Sequence, residues 1–322
     1  MRIKLQYTIK AILSGVDESV IDKLNFGNSF IIQKDSLTNG KLCKEFDYTF
    51  IGIRRIYELS KLNQKLEVAL LTKKAEKEYT VKEIIIDNVS TLNYDQIYPY
   101  ISEIEDEELK YIDETMRNIR LFSENCFNIK EILFKFKIIN LKDNSTIFDN
   151  IYSKIPLPDK IYDNISKLHI ENELEANKLN DFIKNINAKV LSSNFSPELL
   201  SQACFLYDQS YTSSLETIRF LVSIIGLESL LINSTTELSY KFSRNGAMLL
   251  STSKEEYYEY LKILKKIYMK RSKYVHAGVT NDLTSNDVKQ AREILRKVIN
   301  TILIKNISKE ELIKELDIKG YI

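Results

Sequence analysis

Apolar and polar residues alternate from the start of the chain. Ile3, Leu5, Tyr7, Ile9 and Ala11 are separated by polar partners, the two-residue period of a strand with one buried face. Similar short runs at 29–33, 47–53, 66–71, 80–86 and 132–139 predict further strands, and Thr38-Asn39-Gly40-Lys41 predicts a turn between two of them. Residues 103–124 break this pattern with a helix-like segment whose acidic first turn suits the helix dipole. A cation site is one use of such a cluster; solvated carboxylates are the ordinary one. The first part of the chain, 1–155, therefore reads as a mixed α/β domain rich in antiparallel strands.

Ile155-Pro-Leu-Pro158 interrupts this text, because two prolines two residues apart disfavour both helix and central strand. A domain boundary is expected there, with a helical domain over 156–322. Its helix starts are clearly written. Ser196-Pro197-Glu198 is an N-cap followed by proline at the first helical position. Ser213/Glu216, Ser234/Glu237, Ser253/Glu256 and Ser308/Glu311 have capping-box spacing. Helices are expected at 159–188, 197–209, 214–232, 235–250, 254–275 and 285–305, followed by a short tail helix. The fold class is thus α+β. The segment 214–232, apolar on nearly all sides, should be central to the bundle.

Composition changes this picture little. With 322 residues, 44% of them hydrophobic and 28% charged, the chain can bury two cores. Eight Gly and four Pro argue against long flexible linkers. A net charge of +1 leaves nucleic-acid binding to local patches. Cys43, Cys126 and Cys204 lie far apart without metal-ligand spacing, which points to a reducing compartment and to neither a disulfide framework nor a zinc site. No basic cap precedes an apolar run at the N-terminus, and the longest apolar run, 220–232, is too short to span a membrane and contains Glu228. A cytoplasmic protein is expected. Residues 1–155 contain no phosphate loop, no paired catalytic carboxylates and no histidine.

Candidate chemistry concentrates in 262–278, KILKKIYMKRSKYVHAG. Lys262, Lys265, Lys266, Lys270, Arg271 and Lys273 are basic there, and no residue is acidic. On a helix, Tyr257, Leu261, Leu264 and Tyr268 form an apolar stripe that continues to Arg271 and Val275. A guanidinium on a line meant for burial needs a carboxylate or an anionic ligand. Glu228, the one acid inside the apolar run, has the matching need, so the two are expected near each other. Such a pair can also do no more than fix helix register. His276 lies five residues after Arg271, about 140° round an ideal helix. The two converge only if the helix ends near Ala277-Gly278 or if two copies pack across a dimer axis. A lone histidine at a helix end is otherwise a dipole-stabilised surface residue. The lysines fall on several faces and read as solvated charge. Glu237 is explained by its capping position, Arg244 on the same face is a phosphate contact or a surface partner, and His169 is expected on the surface of the first helix.

Arg271-Ser-Lys-Tyr-Val-His276 is similar to the Arg, four to six residues, His motif of HEPN domains. With Gly226-Leu-Glu-Ser-Leu-Leu231, Glu237-Leu-Ser-Tyr-Lys241, Ala247-Met-Leu-Leu250 and the run 267–278, residues 195–305 resemble the ApeA-like branch of that family. The resemblance implies a metal-independent endoribonuclease without cofactor, acting as a homodimer through the helical domain, with Arg271 and His276 catalytic. It implies supporting roles for Glu228, Ser272 and Tyr274, and RNA contacts by Lys266, Lys270, Lys273 and Arg244. It also implies bacterial antiviral defence by abortive infection, with tRNA a frequent target of related nucleases. An activating or inhibiting protein partner is part of that picture. Two alternatives stay open: a catalytically silent dimerisation or RNA-binding scaffold, and a toxin controlled by a nucleotidyltransferase partner that modifies a tyrosine such as Tyr274.

Overall fold

The computed structural model describes all residues except 22, 37–66, 83, 87–88, 158–159, 161–164, 235, 278–281 and 319–322. The strand expected at 47–53, the turn at 38–41 and Cys43 lie outside the described residues. The chain divides into two compact units: Met1–Pro158 together with Ser166–Lys184, and Asp159–Ile165 together with Asn185–Ile322.

In the first unit, β1 (Arg2–Ser14) runs between β3 (Glu67–Thr80) and β7 (Glu131–Asn140) in a six-stranded antiparallel sheet. β2 (Ile31–Ser36) and β8 (Thr146–Pro156) lie outside these, and β6 (Asn128–Ile129) pairs with the end of β1. β4 (Ile84–Ile86) and β5 (Val89–Thr91) form a separate ribbon. The alternation read from residues 3–11 continues to Leu13, and every second residue from Ile3 is buried. These side chains share one core with Ile97, Ile101, Ile104, Ile112, Met116 and Ile119 of α1 (Tyr94–Phe122). Each full burial of such a side chain contributes about 1.5–3 kcal/mol.

Three expectations need correction in this unit. Helix α1 starts at Tyr94, not at 103, because Asn93 and Gln96 form a capping box and Pro99 fails to stop the helix. The acidic cluster therefore sits inside the helix, where Glu103 and Glu107 bind Lys77 of β3. The runs 66–71 and 80–86 are not two equivalent strands; β3 continues through the charged residues between them. Its inward lysines have carboxylate partners on α1, which a local pattern cannot reveal. Finally, the helix expected from 159 is not formed over 165–172, and residues 159 and 161–164 lie outside the described residues. The segment after residue 165 runs beside the residues that follow β1, with Leu168 donating to Gly15 O at 2.8 Å and accepting from Asp17 N at 3.2 Å. Helix α2 spans Glu173–Leu191. His169 is exposed as expected but precedes that helix, and its Nδ1 meets the Asp17 carboxylate. Pro156 closes β8 opposite Glu131, at a sheet edge where the missing N–H costs least.

The second unit is helical: α3 (Pro197–Gln209), α4 (Glu216–Leu231), α5 (Leu238–Leu250), α6 (Lys254–Ala277), α7 (Ser285–Lys305) and α8 (Lys309–Ile318). Helix α4 touches α3, α5, α6 and α7, the central place its all-round apolar sequence implied. Ser196 caps α3 and Ser308/Glu311 is a reciprocal capping box. Ser253 caps Glu256, while Glu256 reaches back to Thr252. The other two boxes are not formed. Glu216 binds Ser285, and α4 begins after Leu215 without a side-chain cap. Glu237 is itself the residue before α5, at φ 56° with no cap hydrogen bond, so its capping explanation fails.

Candidate functional site

Helix α6 is oriented by its apolar stripe. Tyr257, Leu264, Ile267 and Tyr268 are buried, and the Tyr268 ring packs 5.1 Å from that of Phe242 on α5. Gly246 lets α5 come this close: a Cβ there would stand 2.8 Å from Leu264 Cδ1 and 3.1 Å from Leu231 Cδ1. With Tyr268 fixed, Arg271 three residues on is turned toward α4.

There it meets Glu228. Arg271 Nε lies 3.4 Å from Glu228 Oε1, and Nη2 donates to Oε2 at 3.4 Å. The guanidinium carbon is 5.7 Å from the centre of the Tyr268 ring. Burial raises the pKa of the Tyr268 hydroxyl, the Glu228 charge raises it further, and Arg271 opposes both. The pair is long, and neither member is sealed from water: the side chains are 25% and 21% exposed. The expected proximity is therefore present, in a half-open form that leaves the guanidinium reachable.

Helix α6 runs unbroken through His276 and ends at Ala277, close to the predicted stop. His276 is exposed, Val275 beside it is 50% exposed, and Ser272 and Tyr274 are half-buried. Because the helix is continuous across both residues, the angular offset of about 140° between Arg271 and His276 applies. One chain does not bring them together on a small ligand through this helix alone.

The basic residues differ from the sequence picture. Lys270 donates to Asp287 Oδ2 at 2.6 Å and also reaches the Asp282 carbonyl. Lys266 lies 3.2 Å from Asp287 Oδ1, and Lys273 lies 3.4 Å from Asp282 Oδ2. Three lysines read as solvated, or as held for phosphate, thus have counter-ions within the chain. Lys270 is the most committed of them, at 10% exposure against 53% for Lys266 and 50% for Lys273. Arg244 binds the side chain of Asp317 at 3.3 Å and its carbonyl at 3.2 Å, so it is a partner of α8.

Sequence reasoning missed Asp287. It forms a capping box with Thr284 at the start of α7, a Thr-x-x-Asp variant of the Ser-x-x-Glu pattern. Burial pulls its carboxyl upward in pKa, but hydrogen bonds from Lys270, Thr284 and Lys266 outweigh this and hold it at about 2. Also unforeseen is an exposed apolar stripe that starts at Leu215, the residue before α4, and continues along that helix through Ile218 and Ile225, the three being 61%, 39% and 45% exposed. Leu221 and Val222 lie half-buried between them, and the stripe leads toward Glu228.

Among the described residues, no three His, Cys, Asp or Glu side chains gather as a metal-binding group. Cys126 and Cys204 are free thiols, and no described helix is long and apolar enough to cross a membrane. No family model, no curated protein and no solved structure matches this chain.

Proposed function

We propose that the chain is a metal-independent endoribonuclease in which Arg271 and His276 act on the scissile phosphate. The observation that carries the reading is the half-open pair that Glu228 of α4 makes with Arg271 of α6, the helix that also carries His276. The attacking group is the RNA 2′-hydroxyl, so the protein need not supply a nucleophile. It must move a proton and stabilise the charge that gathers on phosphorus. Arg271 offers a planar fork to two phosphate oxygens, exchanging a loose carboxylate contact for a charge-assisted one. His276, exposed and carrying an imidazole that can both accept and donate a proton, takes or gives the proton. Lys266 and Lys273, each about half exposed, steady neighbouring phosphates, and Tyr274 is placed for stacking on a base. Glu228 positions the guanidinium, and Ser272 flanks it in the chain.

Two copies supply the second histidine. The exposed stripe Leu215, Ile218 and Ile225 supports a homodimer, because an uncharged surface can face its own copy without repulsion. A bacterial antiviral role by abortive infection, with tRNA as the target and the N-terminal unit as the element of control, completes the proposal. A second reading, a catalytically silent scaffold, is favoured by the internal pairing of Lys266, Lys270, Lys273 and Arg244.

Incubation with total bacterial RNA in excess EDTA, with the cleaved ends mapped, tests the reaction type. Cyclic phosphate ends are expected, and an oligonucleotide with a single 2′-deoxy sugar at a mapped position should remain intact. Loss of cleavage on chelation, or cutting of the deoxy oligonucleotide, would contradict the mechanism.

A further inference from the structure

The first unit carries a charged surface that this chemistry does not use. It is the face of the sheet turned away from α1. Residues paired across antiparallel strands share a face, so the register assembles it row by row. Thr8 of β1 lies opposite Lys74 of β3 and Lys135 of β7, and Lys135 lies opposite Tyr152 of β8. In the next row Gln6 lies between Glu76 and Lys137. A cavity of about 620 Å³ opens over these two rows. A second, of about 370 Å³, shares Lys74 and continues past Lys10 and Thr72 to β2.

Charge on this face is unbalanced. Of the acids lining the larger cavity, Glu76 is occupied by Lys4 at 3.0 Å and Gln6 at 3.3 Å, and Asp149 accepts from the Asn150 backbone at 2.8 Å. Lys135 and Lys137 have no salt bridge among the described residues. Lys135 instead lies 5.7 Å from the centre of the Tyr152 ring, beside a polar floor of Thr8 and Gln6.

The shape selects a chain over a compact anion. Lys74 and Lys135 flank Thr8 two strand spacings apart, about 10 Å, too far to clamp one phosphate. Lys135 and Lys137 stand about 6.6 Å apart along β7, far enough to meet different phosphates of one strand. Lysines spaced along a trough with an aromatic ring beside one of them are the combination that holds single strands, the lysines tracking the backbone and the ring stacking on a base.

We propose that this sheet face binds the sugar–phosphate backbone of single-stranded RNA, with Lys135 and Lys137 as phosphate contacts and Tyr152 as a stacking surface. The choice of RNA as the strand rests on the nuclease reading; the site itself rests on the sheet. Contacts of this kind are read through salt. Each phosphate neutralised on a single strand adds about 0.7 to the slope of log K against log salt.

The test is fluorescence anisotropy of the full chain with a labelled, uncleavable 2′-O-methyl oligoribonucleotide across a salt series. Lys135→Ala/Lys137→Ala should weaken binding about tenfold and lower the slope by about 1.4. Lys135→Arg/Lys137→Arg should keep both affinity and slope. Lys137→Ala alone, at a half-exposed position, should lower the slope by about 0.7 and serves if the double alanine variant does not fold. Arg271→Ala should leave binding at the sheet in place. Wild-type affinity and slope in the lysine variants would overturn the proposal, as would binding that disappears with Arg271→Ala alone. Wild type that binds phosphatidylserine vesicles but not the oligonucleotide would overturn it too. Retained oligonucleotide binding with no cleavage of natural RNA would count against the nuclease and leave the sheet site standing.

Discussion

Each unit of this chain holds a cation against a carboxylate across two elements, and the two pairs are built to opposite ends. In the N-terminal unit, Lys73 Nζ of β3 lies 2.5 Å from Glu108 Oε1 of α1, and both side chains are 6% exposed. Tyr7 donates to the same oxygen at 2.9 Å, and Lys73 stands 5.1 Å from the centre of the Phe30 ring. Burial, reinforced by Glu108, pushes the pKa of the Tyr7 hydroxyl up. The Arg271–Glu228 pair of the helical unit is longer, at 3.4 Å, and several times more exposed. A sealed pair is costly to break and closed to any ligand; an open pair contributes little to folding and can exchange its carboxylate for a phosphate. Burial, more than the mere presence of an ion pair, separates a structural charge from an available one.

The largest effect should come from breaking the sealed pair. Lys73→Met leaves Glu108 buried without its cation and should destabilise the protein by about 3–5 kcal/mol, read by urea unfolding, while Lys73→Met/Glu108→Leu should recover most of the loss. An intermediate case is Asp287, buried but joined to half-exposed Lys266. Its carboxyl is depressed from 3.8 to about 2, so its contribution is fully present above the unfolded value and is lost as pH falls from about 4 toward 2. Asp287→Asn should cost about 1–2 kcal/mol at neutral pH and remove that part of the acid limb, measured as stability against pH. Ser308→Ala, which removes the cap of α8, should cost about 1 kcal/mol. Smallest of all, Arg271→Ala should change stability by less than about 1 kcal/mol. A loss as large as that of Lys73→Met would erase the distinction between the two pairs and favour the scaffold reading.

What was legible in the sequence divides along the same line. Local signals read well: the alternation of β1, the proline-led start of α3 and the span of α7 came from neighbouring residues alone. The approach of Glu228 to Arg271 was legible because each stood as a solitary charge on an apolar line, so each implied a missing partner. Lys73 and Glu108 gave no such hint. They lie among other charged residues, 35 positions apart, and only the packing of α1 on the sheet pairs them. The same blindness left β3 divided in two and hid Asp282 and Asp287 as counter-ions of the lysines. The helix expected over 166–170 does not form because that segment takes its conformation from Gly15, Asp17 and Ser19, partners far away in the chain.

The most direct test of the central claim is cleavage of total bacterial RNA in EDTA by wild type, Arg271→Ala and His276→Ala, with the unfolding midpoint of each recorded alongside. The account predicts three proteins of nearly equal stability, with cleavage by either variant at least about 10²-fold slower than wild type. Cleavage at the same rate by all three would contradict it, placing any active site elsewhere and leaving Arg271 and Glu228 as a register-fixing pair.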